Sequence, residues 1–263
     1  MSSLKNNVKK YSNRKSQNAH LSLNALESGT DVNSSNPKHI AIIPDGNRRW
    51  VSKNKTKLYS GYSLGIRKVI DISLLAKKHG VKILTIWALS TENIKKRNRN
   101  ELNLLYRLYA VTAKDKEILE ILRKNSVKVK IIGNLNILPE NLKKALSFLQ
   151  AKTRHYKDLT INLLVGYGGR EDIEYMIKKI RAKLIDNPNA SLNSINNYLR
   201  TAIVPDVDLI IRTSGEMRLS GFLPWQSSYS ELYFSKKYWP DFGEEDLKKA
   251  IKTFSERNRR FGK

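Results

Sequence analysis

The sequence predicts an α/β fold, a single domain with a mainly parallel central sheet of about six strands flanked by helices. Three observations predict it. Short runs rich in Ile, Val and Leu recur from His39 onward, with little of the polar alternation seen in half-exposed strands. Segments of helical periodicity lie between these runs, and strand–helix alternation implies crossovers and a parallel sheet. Hydrophobic residues make up 40% of the 263, which is enough for a sizeable core in one large domain or two small ones.

Taken in order, residues 1–37 are rich in Ser, Asn and Lys and show no apolar period, so they read as a flexible basic tail preceding a folded domain over 38–263. Met1–Gln17 partly imitates a transit peptide, and no apolar centre follows its lysines as a secretory signal would require. Strands are expected at His39–Ile43, Ile83–Leu89, Val127–Ile132, Leu159–Val165, Val207–Ile211 and Glu231–Phe234. Between the first two, Ile66, Val69, Ile70, Ser73 and Leu74 share one helix face, and Gly80 after His79 suits a C-terminal cap. Leu102–Leu122 reads as one helix, apolar over more than one face. Glu171–Leu184 and Glu244–Ser255 complete the expected helices. No internal repeat is visible.

Composition excludes several functions. With no cysteine there is no disulfide scaffold, thiol nucleophile or sulfur-based zinc site. His20, His39, His79 and His155 lie far apart, without metal-ligand spacing. The longest apolar stretches, such as Ile83–Leu89, fall far short of the roughly 18 residues of a membrane-spanning helix. Lys and Arg total 49 against 24 Asp and Glu, a net charge of +25. Such a chain attracts polyanions, although a composition rich in Lys and Asn throughout explains much of the excess.

Ligands of open α/β sheets bind beyond the carboxyl ends of the strands, so chemistry is sought there. The first strand runs into Pro44-Asp45-Gly46-Asn47-Arg48-Arg49-Trp50. Gly46 permits a close backbone approach, successive amides can cradle an anion, and the arginines suit phosphate oxygens. A lone carboxylate beside such a cradle points to Mg²⁺ bridging a diphosphate, since Mg²⁺ takes one or two carboxylates plus phosphates and water. A bare Asp-Gly is also an ordinary turn. The second strand ends in Ser90-Thr91-Glu92-Asn93, either ligand-binding or helix-capping. Gly166-Tyr167-Gly168-Gly169-Arg170 is glycine-rich but matches no nucleotide fingerprint. Arg212-Thr213-Ser214-Gly215-Glu216 and Arg218-Leu219-Ser220 follow the fifth strand and could clamp a second diphosphate or form surface pairs with Glu216. Glu231 enters the last strand as a structural acid or a second metal ligand. With all these segments on one rim, the inventory binds and ionises diphosphates and holds no His or Cys nucleophile.

Six blocks in this order resemble the cis-prenyltransferases (undecaprenyl diphosphate synthases, isoprenyl transferases): His39–Trp50, Leu84–Asn93, Asn162–Arg170, Asp208–Ser220, Ser227–Phe242 and Arg259-Arg260-Phe261-Gly262. The resemblance covers about residues 38–263 and is far more specific than any single motif. It implies a homodimeric, Mg²⁺-dependent enzyme that condenses isopentenyl diphosphate with an allylic diphosphate, farnesyl or geranyl, into a Z-polyprenyl diphosphate. By resemblance Asp45 would bind Mg²⁺, Gly46, Asn47, Arg48 and Arg49 would cradle the allylic diphosphate, and Arg212, Arg218, Leu219 and Ser220 would hold isopentenyl diphosphate. Glu231 would complete the metal site, and Asn93 maps onto the position assigned as proton acceptor. Trp50, Leu58, Tyr62, Ser90, Thr91, Glu92, Ile94 and Lys96 map onto substrate-binding positions. The resemblance makes Leu102–Leu122 the wall of a hydrophobic product tunnel, and a basic surface fits a cytoplasmic enzyme peripheral to a membrane.

The chain departs from the family pattern at Tyr62 (often His), Leu58 (often Arg), Ile94 (often Trp), Lys96 (often Arg) and Pro224, which interrupts a usual Leu-Leu-Trp run. Ala88 is small where a bulky residue accompanies short products. The competing readings are a non-catalytic or partner-dependent subunit, which should have lost the Asp45-type acid or the arginines, and a basic nucleic-acid binder, which needs clustered basic and aromatic residues without carboxylates.

Overall fold

The computed structural model describes residues 36–192 and 194–257, all within one compact unit, Ser34–Lys263. Most of the expected tail and the whole Arg259-Arg260-Phe261-Gly262 block lie outside the described residues. In chain order the elements are β1 (His39–Ile43), α1 (Asn47–Lys53), α2 (Leu58–Lys78), β2 (Ile83–Ser90), α3 (Thr91–Lys96), α4 (Arg99–Thr112) and α5 (Lys116–Lys124). Then come β3 (Val127–Ile132), α6 (Glu140–Thr153), β4 (Leu159–Tyr167), α7 (Gly169–Asp186), β5 (Leu209–Arg212), β6 (Glu231–Phe234) and α8 (Glu244–Glu256), with short 3-10 turns between some of them.

The six strands form one parallel sheet in the order β3-β4-β2-β1-β5-β6. All five residues of β1 are buried, as the run of apolar residues without alternation required. Ile40 and Ile42 point to one face, where they join Leu84, Ile86, Ile161 and Ile211 against Ile72 of α2, Leu122 of α5, Leu149 of α6 and Phe254 of α8. Ala41 and Ile43 point to the other, with Leu164 and Ile210. That second face is filled by Val204, Val207, Phe222 and Leu223 from irregular segments, and Trp87 stacks on Phe222 at 5.2 Å. Helical cover is therefore uneven, because the long β4-to-β5 connection lays loops as well as α7 into its path.

Two expectations change in detail. Leu102–Leu122 is not one helix: it breaks after Thr112, and Asp115 restarts it by accepting the Ile118 amide at 3.1 Å. The expected strand at Val207–Ile211 pairs from Leu209 to Arg212. Gly80 sits at φ +80 just past α2, the left-handed position that glycine tolerates. The β2–β4 ladder carries two irregularities, stepping from Trp87↔Leu164 to Leu89↔Val165 and then to Ser90↔Tyr167. Each strand thus has one extra residue, Ala88 in β2 and Gly166 in β4.

Candidate functional site

Beyond the carboxyl ends of β1, β2 and β5 lies a cavity of about 720 Å³. Its mouth is lined by Asp45, Gly46, Asn47, Arg48, Arg49, Ser90, Glu92, Asn93, Arg97, Arg212 and Ser220. Its depth is apolar, bounded by Ile86, Ile161, Leu163, Val129, Ile118, Leu122 and Leu149. Ser90, Ala88 and Ile86 descend one wall at alternate positions of β2, and Val165, Leu163 and Ile161 do the same on β4. On α4, Leu105, Tyr109 and Thr112 line the opposite side.

Asp45 occupies the turn after β1, its carbonyl held by Thr213 Oγ1 at 2.7 Å and the Trp239 amide at 3.0 Å. Its Oδ1 accepts the Gly46 amide at 2.6 Å, and its Oδ2 accepts Arg212 NH2 at 2.9 Å. Arg49 approaches Oδ1 at 3.4 Å. Burial pushes the Asp45 pKa up, but the hydrogen bonds from Arg212 and Gly46 and the charges of Arg212 and Arg49 outweigh it and hold the pKa below the ordinary value. Gly46 lies at φ +96, and a Cβ there would come within 2.7 Å of Tyr238 and 2.8 Å of Ser214. Only glycine fits both the angle and the space.

Arg212 ends β5 and is almost fully buried. NH1 donates to Ser220 Oγ at 2.9 Å and to the Arg218 carbonyl, NH2 donates to Asp45, and the buried Nε has no partner. A buried guanidinium with a donor to spare can bond one more acceptor. Arg49 donates to Ser214 Oγ at 2.6 Å and Glu216 Oε1 at 2.8 Å. Arg218 pairs with the other Glu216 oxygen, and Arg218 and Arg49 together hold that carboxyl below its usual range. Ser214 and Ser220 sit at φ +78 and +54, two left-handed non-glycine residues in this one loop.

Across the mouth, Tyr62 donates to Glu101 Oε1 at 2.5 Å. Arg97 approaches Glu101 at 3.6 Å and lies over the Tyr62 ring, while Arg48 approaches Glu101 at 4.0 Å. Burial pushes the Tyr62 phenol up, so the hydroxyl keeps its proton. Sequence reading missed Glu101 and this role of Arg97. The only signal was their i,i+4 spacing, which is common on helix surfaces.

Of the residues singled out from sequence, the cavity gathers Asp45, Gly46, Asn47, Arg48, Arg49, Tyr62, Ser90, Glu92, Asn93, Arg212 and Ser220. Ser90 also caps α3, accepting the Asn93 amide at 3.0 Å. Trp50 is not in the lining and donates from Nε1 to Asp241 at 2.8 Å. Leu58 and Ile94 pack in an apolar cluster, Leu219 packs beneath the sheet's second face, and Thr91 is buried beside Gly168. Lys96 pairs with Glu92 at 2.8 Å.

Glu231 departs from the expected single rim. It begins β6, at the level of Leu209 and Ile40, whereas Arg212 and Ile43 lie three residues further along. That is about 10 Å toward the mouth, and Asp45 lies beyond it. Glu231 Oε2 accepts Arg257 at 2.6 Å. A residue that starts a parallel strand lies at the end opposite the ligand rim, so Glu231 and Asp45 of one chain do not meet. Among the described residues no three His, Asp or Glu side chains cluster as a ready-made metal site.

A family model described as "Putative undecaprenyl diphosphate synthase" matches residues 43–262. The chain is 43% identical over 235 residues to an isoprenyl transferase of Streptococcus pyogenes, covering 86% of this chain and 93% of the relative. It is 39% identical over 230 residues to the GGDP-specific tritrans,polycis-undecaprenyl-diphosphate synthase of Sulfolobus acidocaldarius, covering 86% and 88%. The crystal structure of lavandulyl diphosphate synthase from Lavandula x intermedia, in complex with dimethylallyl diphosphate, superposes with a TM-score of 0.82 at 35% identity, covering 88% of this chain and all of that one. The carboxylate and arginines at the strand ends, the apolar depth behind them and these likenesses agree: the chain belongs to the undecaprenyl diphosphate synthase family and is a prenyltransferase of the cis class.

Proposed function

We propose that residues 38–263 extend an allylic diphosphate, farnesyl or geranyl, with isopentenyl diphosphate to a Z-polyprenyl diphosphate, and that Mg²⁺ serves the reaction at Asp45. The observation that carries this is one cavity with a cationic mouth and an apolar depth, a shape for a ligand with a diphosphate head and a hydrocarbon tail. The donor set fits Mg²⁺, which needs one carboxylate when diphosphate oxygens and water fill the other positions. Bound there, Mg²⁺ supplies neutralisation of the charge developing on the departing diphosphate.

The chain's own residues supply the rest. Gly46 and the Asn47–Arg49 turn let an allylic diphosphate approach the backbone closely, with Arg48 and Arg49 donating to its oxygens. Arg212, with Arg218 and Ser220, holds the diphosphate of the incoming unit. As the allylic C1–O bond breaks, C4 of the isopentenyl unit bonds to C1 and a proton leaves C2. Asn93, an amide and a poor base, orients that unit while water or the departing diphosphate takes the proton. Leu105, Ile86 and Leu163 then receive the growing tail.

In the homodimer that the family resemblance implies, Glu231 of a second copy would be the one to reach such a metal site, since Glu231 of the same chain lies at the other end of the sheet. No described helix is long and apolar enough to cross a membrane. The +25 charge and an insoluble product favour a cytoplasmic enzyme working against an anionic membrane surface.

The test is elongation: purified protein, Mg²⁺, labelled isopentenyl diphosphate and a panel of allylic starters. Butanol-extractable label that vanishes in EDTA is expected, and folded protein that incorporates nothing from any starter would overturn the reading.

A further inference from the structure

The wall of the cavity contains a break in the β-sheet. Ala88 is the one residue of β2 without a partner in β4, because the ladder steps from Trp87↔Leu164 to Leu89↔Val165. Beside it β1 has already ended, its last pair with β2 being Ile42↔Ile86. The Ala88 carbonyl accepts Tyr109 Oη at 2.6 Å, which ties α4 to β2. Ala88 and Tyr109 both line the cavity. Tyr109 stands on α4 between Leu105, near the polar mouth, and Ala113, where the lining is apolar. Burial pushes its phenol up to about 12, so the donor proton stays in place across ordinary working pH.

We propose that Tyr109 is a specificity-determining residue: its hydroxyl bonds the Ala88 carbonyl at the bulge, holds the ring against this stretch of wall, and so governs how far a chain is extended past it. The inference rests on the elongation reading above. A hydroxyl inside an apolar cavity needs a partner, and a prenyl chain offers none, so the Ala88 carbonyl supplies it and fixes the ring against β2. Without the hydroxyl the ring loses that anchor. It can then swing into the space that the growing tail needs. The effect falls on passage down the cavity, because Ser90 and Asn93 lie nearer the mouth and are untouched.

Tyr109→Phe removes one oxygen atom and tests this directly. Tyr106→Phe removes the same atom from the same helix at a buried position outside the cavity lining, and controls for loss of fold. With Mg²⁺, a short allylic starter and saturating labelled isopentenyl diphosphate, the first-addition rate and the full product ladder are read for each protein. Tyr109→Phe is expected to keep the first-addition rate and to raise the ratio of shorter to longest product roughly fivefold, the weight of one buried hydrogen bond. Tyr106→Phe is expected to keep the original ladder. A Tyr109→Phe ladder matching the unsubstituted one would overturn the assignment while leaving the elongation reading intact. So would loss of the first addition in folded Tyr109→Phe, since that places the hydroxyl's contribution at the reacting end. No elongation by the unsubstituted chain would overturn both.

Discussion

At the mouth of the cavity, Asp45, Arg49 at the start of α1 and Arg212 at the end of β5 are gathered by loops whose backbone turns left-handed at Gly46, Ser214 and Ser220. Deeper in, Ile86, Leu163 and Ile161 stand on strands in ordinary alternation. The mouth is strained and crowded with charge, and nearly every polar group there is bonded to another: Asp45 to Arg212, Arg49 to Ser214, Tyr62 to Glu101. In the proposed reaction an arriving diphosphate would exchange bonds that already exist, with the arginines positioned before it comes. The depth has almost nothing to exchange. The proposal is therefore a division of labour in which the mouth sets how fast units are joined and the depth sets how many.

The harshest way to break this comparison is Asp45→Asn, which keeps the shape and one acceptor but removes the charge. Incorporation should fall about 100- to 1,000-fold, measured as initial rate under saturating substrates, with the proportions of residual products preserved. Arg212→Lys comes next. A point charge cannot reach Asp45, Ser220 and the Arg218 carbonyl together. The KM for isopentenyl diphosphate should rise about 10- to 100-fold, again without redistributing products. Glu101→Gln is milder: Tyr62 still finds an acceptor, but Arg48 and Arg97 lose their carboxylate, and a KM change of about two- to fivefold for the allylic substrate is expected.

The smallest effect sharpens the contrast from the far end of β1. His39 is buried between Thr85 Oγ1 and the Asp206 carbonyl, at 2.8 and 2.9 Å. Burial is the main cause of its lowered pKa, only partly offset by the Asp206 and Asp208 contacts. A depressed histidine favours folding above the unfolded-state value of 6.5 and loses that contribution as pH falls toward the folded-state value. Thermal melts from pH 8 to 5 should therefore show an acid-side loss that His39→Gln flattens. Tyr62 and Asp45 do not titrate in that window, the first being raised and the second lowered.

Much of this was legible in the sequence, for reasons that also mark its limit. All six strands were readable because strands buried on both faces are continuous apolar runs. The Asp45 and Arg212 loops were readable because they follow such strands. Glu231 was placed on the same rim although it begins its strand, and in a parallel sheet that puts it at the opposite end. α6 was missed although Leu142, Ala145, Leu146 and Leu149 carry a helical spacing, and the break at Asp115 hid inside a continuous apolar period. Glu101 was invisible as a functional candidate, and Tyr109 was expected only as one residue of a tunnel wall. The first acts through an ordinary helix spacing, and the second answers a bulge that exists only once β2 and β4 are paired.

The most direct measurement sets a mouth variant beside a depth variant. Arg212→Lys and Tyr109→Phe would each be given saturating isopentenyl diphosphate and Mg²⁺, with total incorporation and product ladder read from the same reactions. The division of labour predicts that Arg212→Lys scales every product down together, while Tyr109→Phe keeps the first addition and shifts the ladder toward shorter chains. A shifted ladder from Arg212→Lys with an unchanged one from Tyr109→Phe would contradict it.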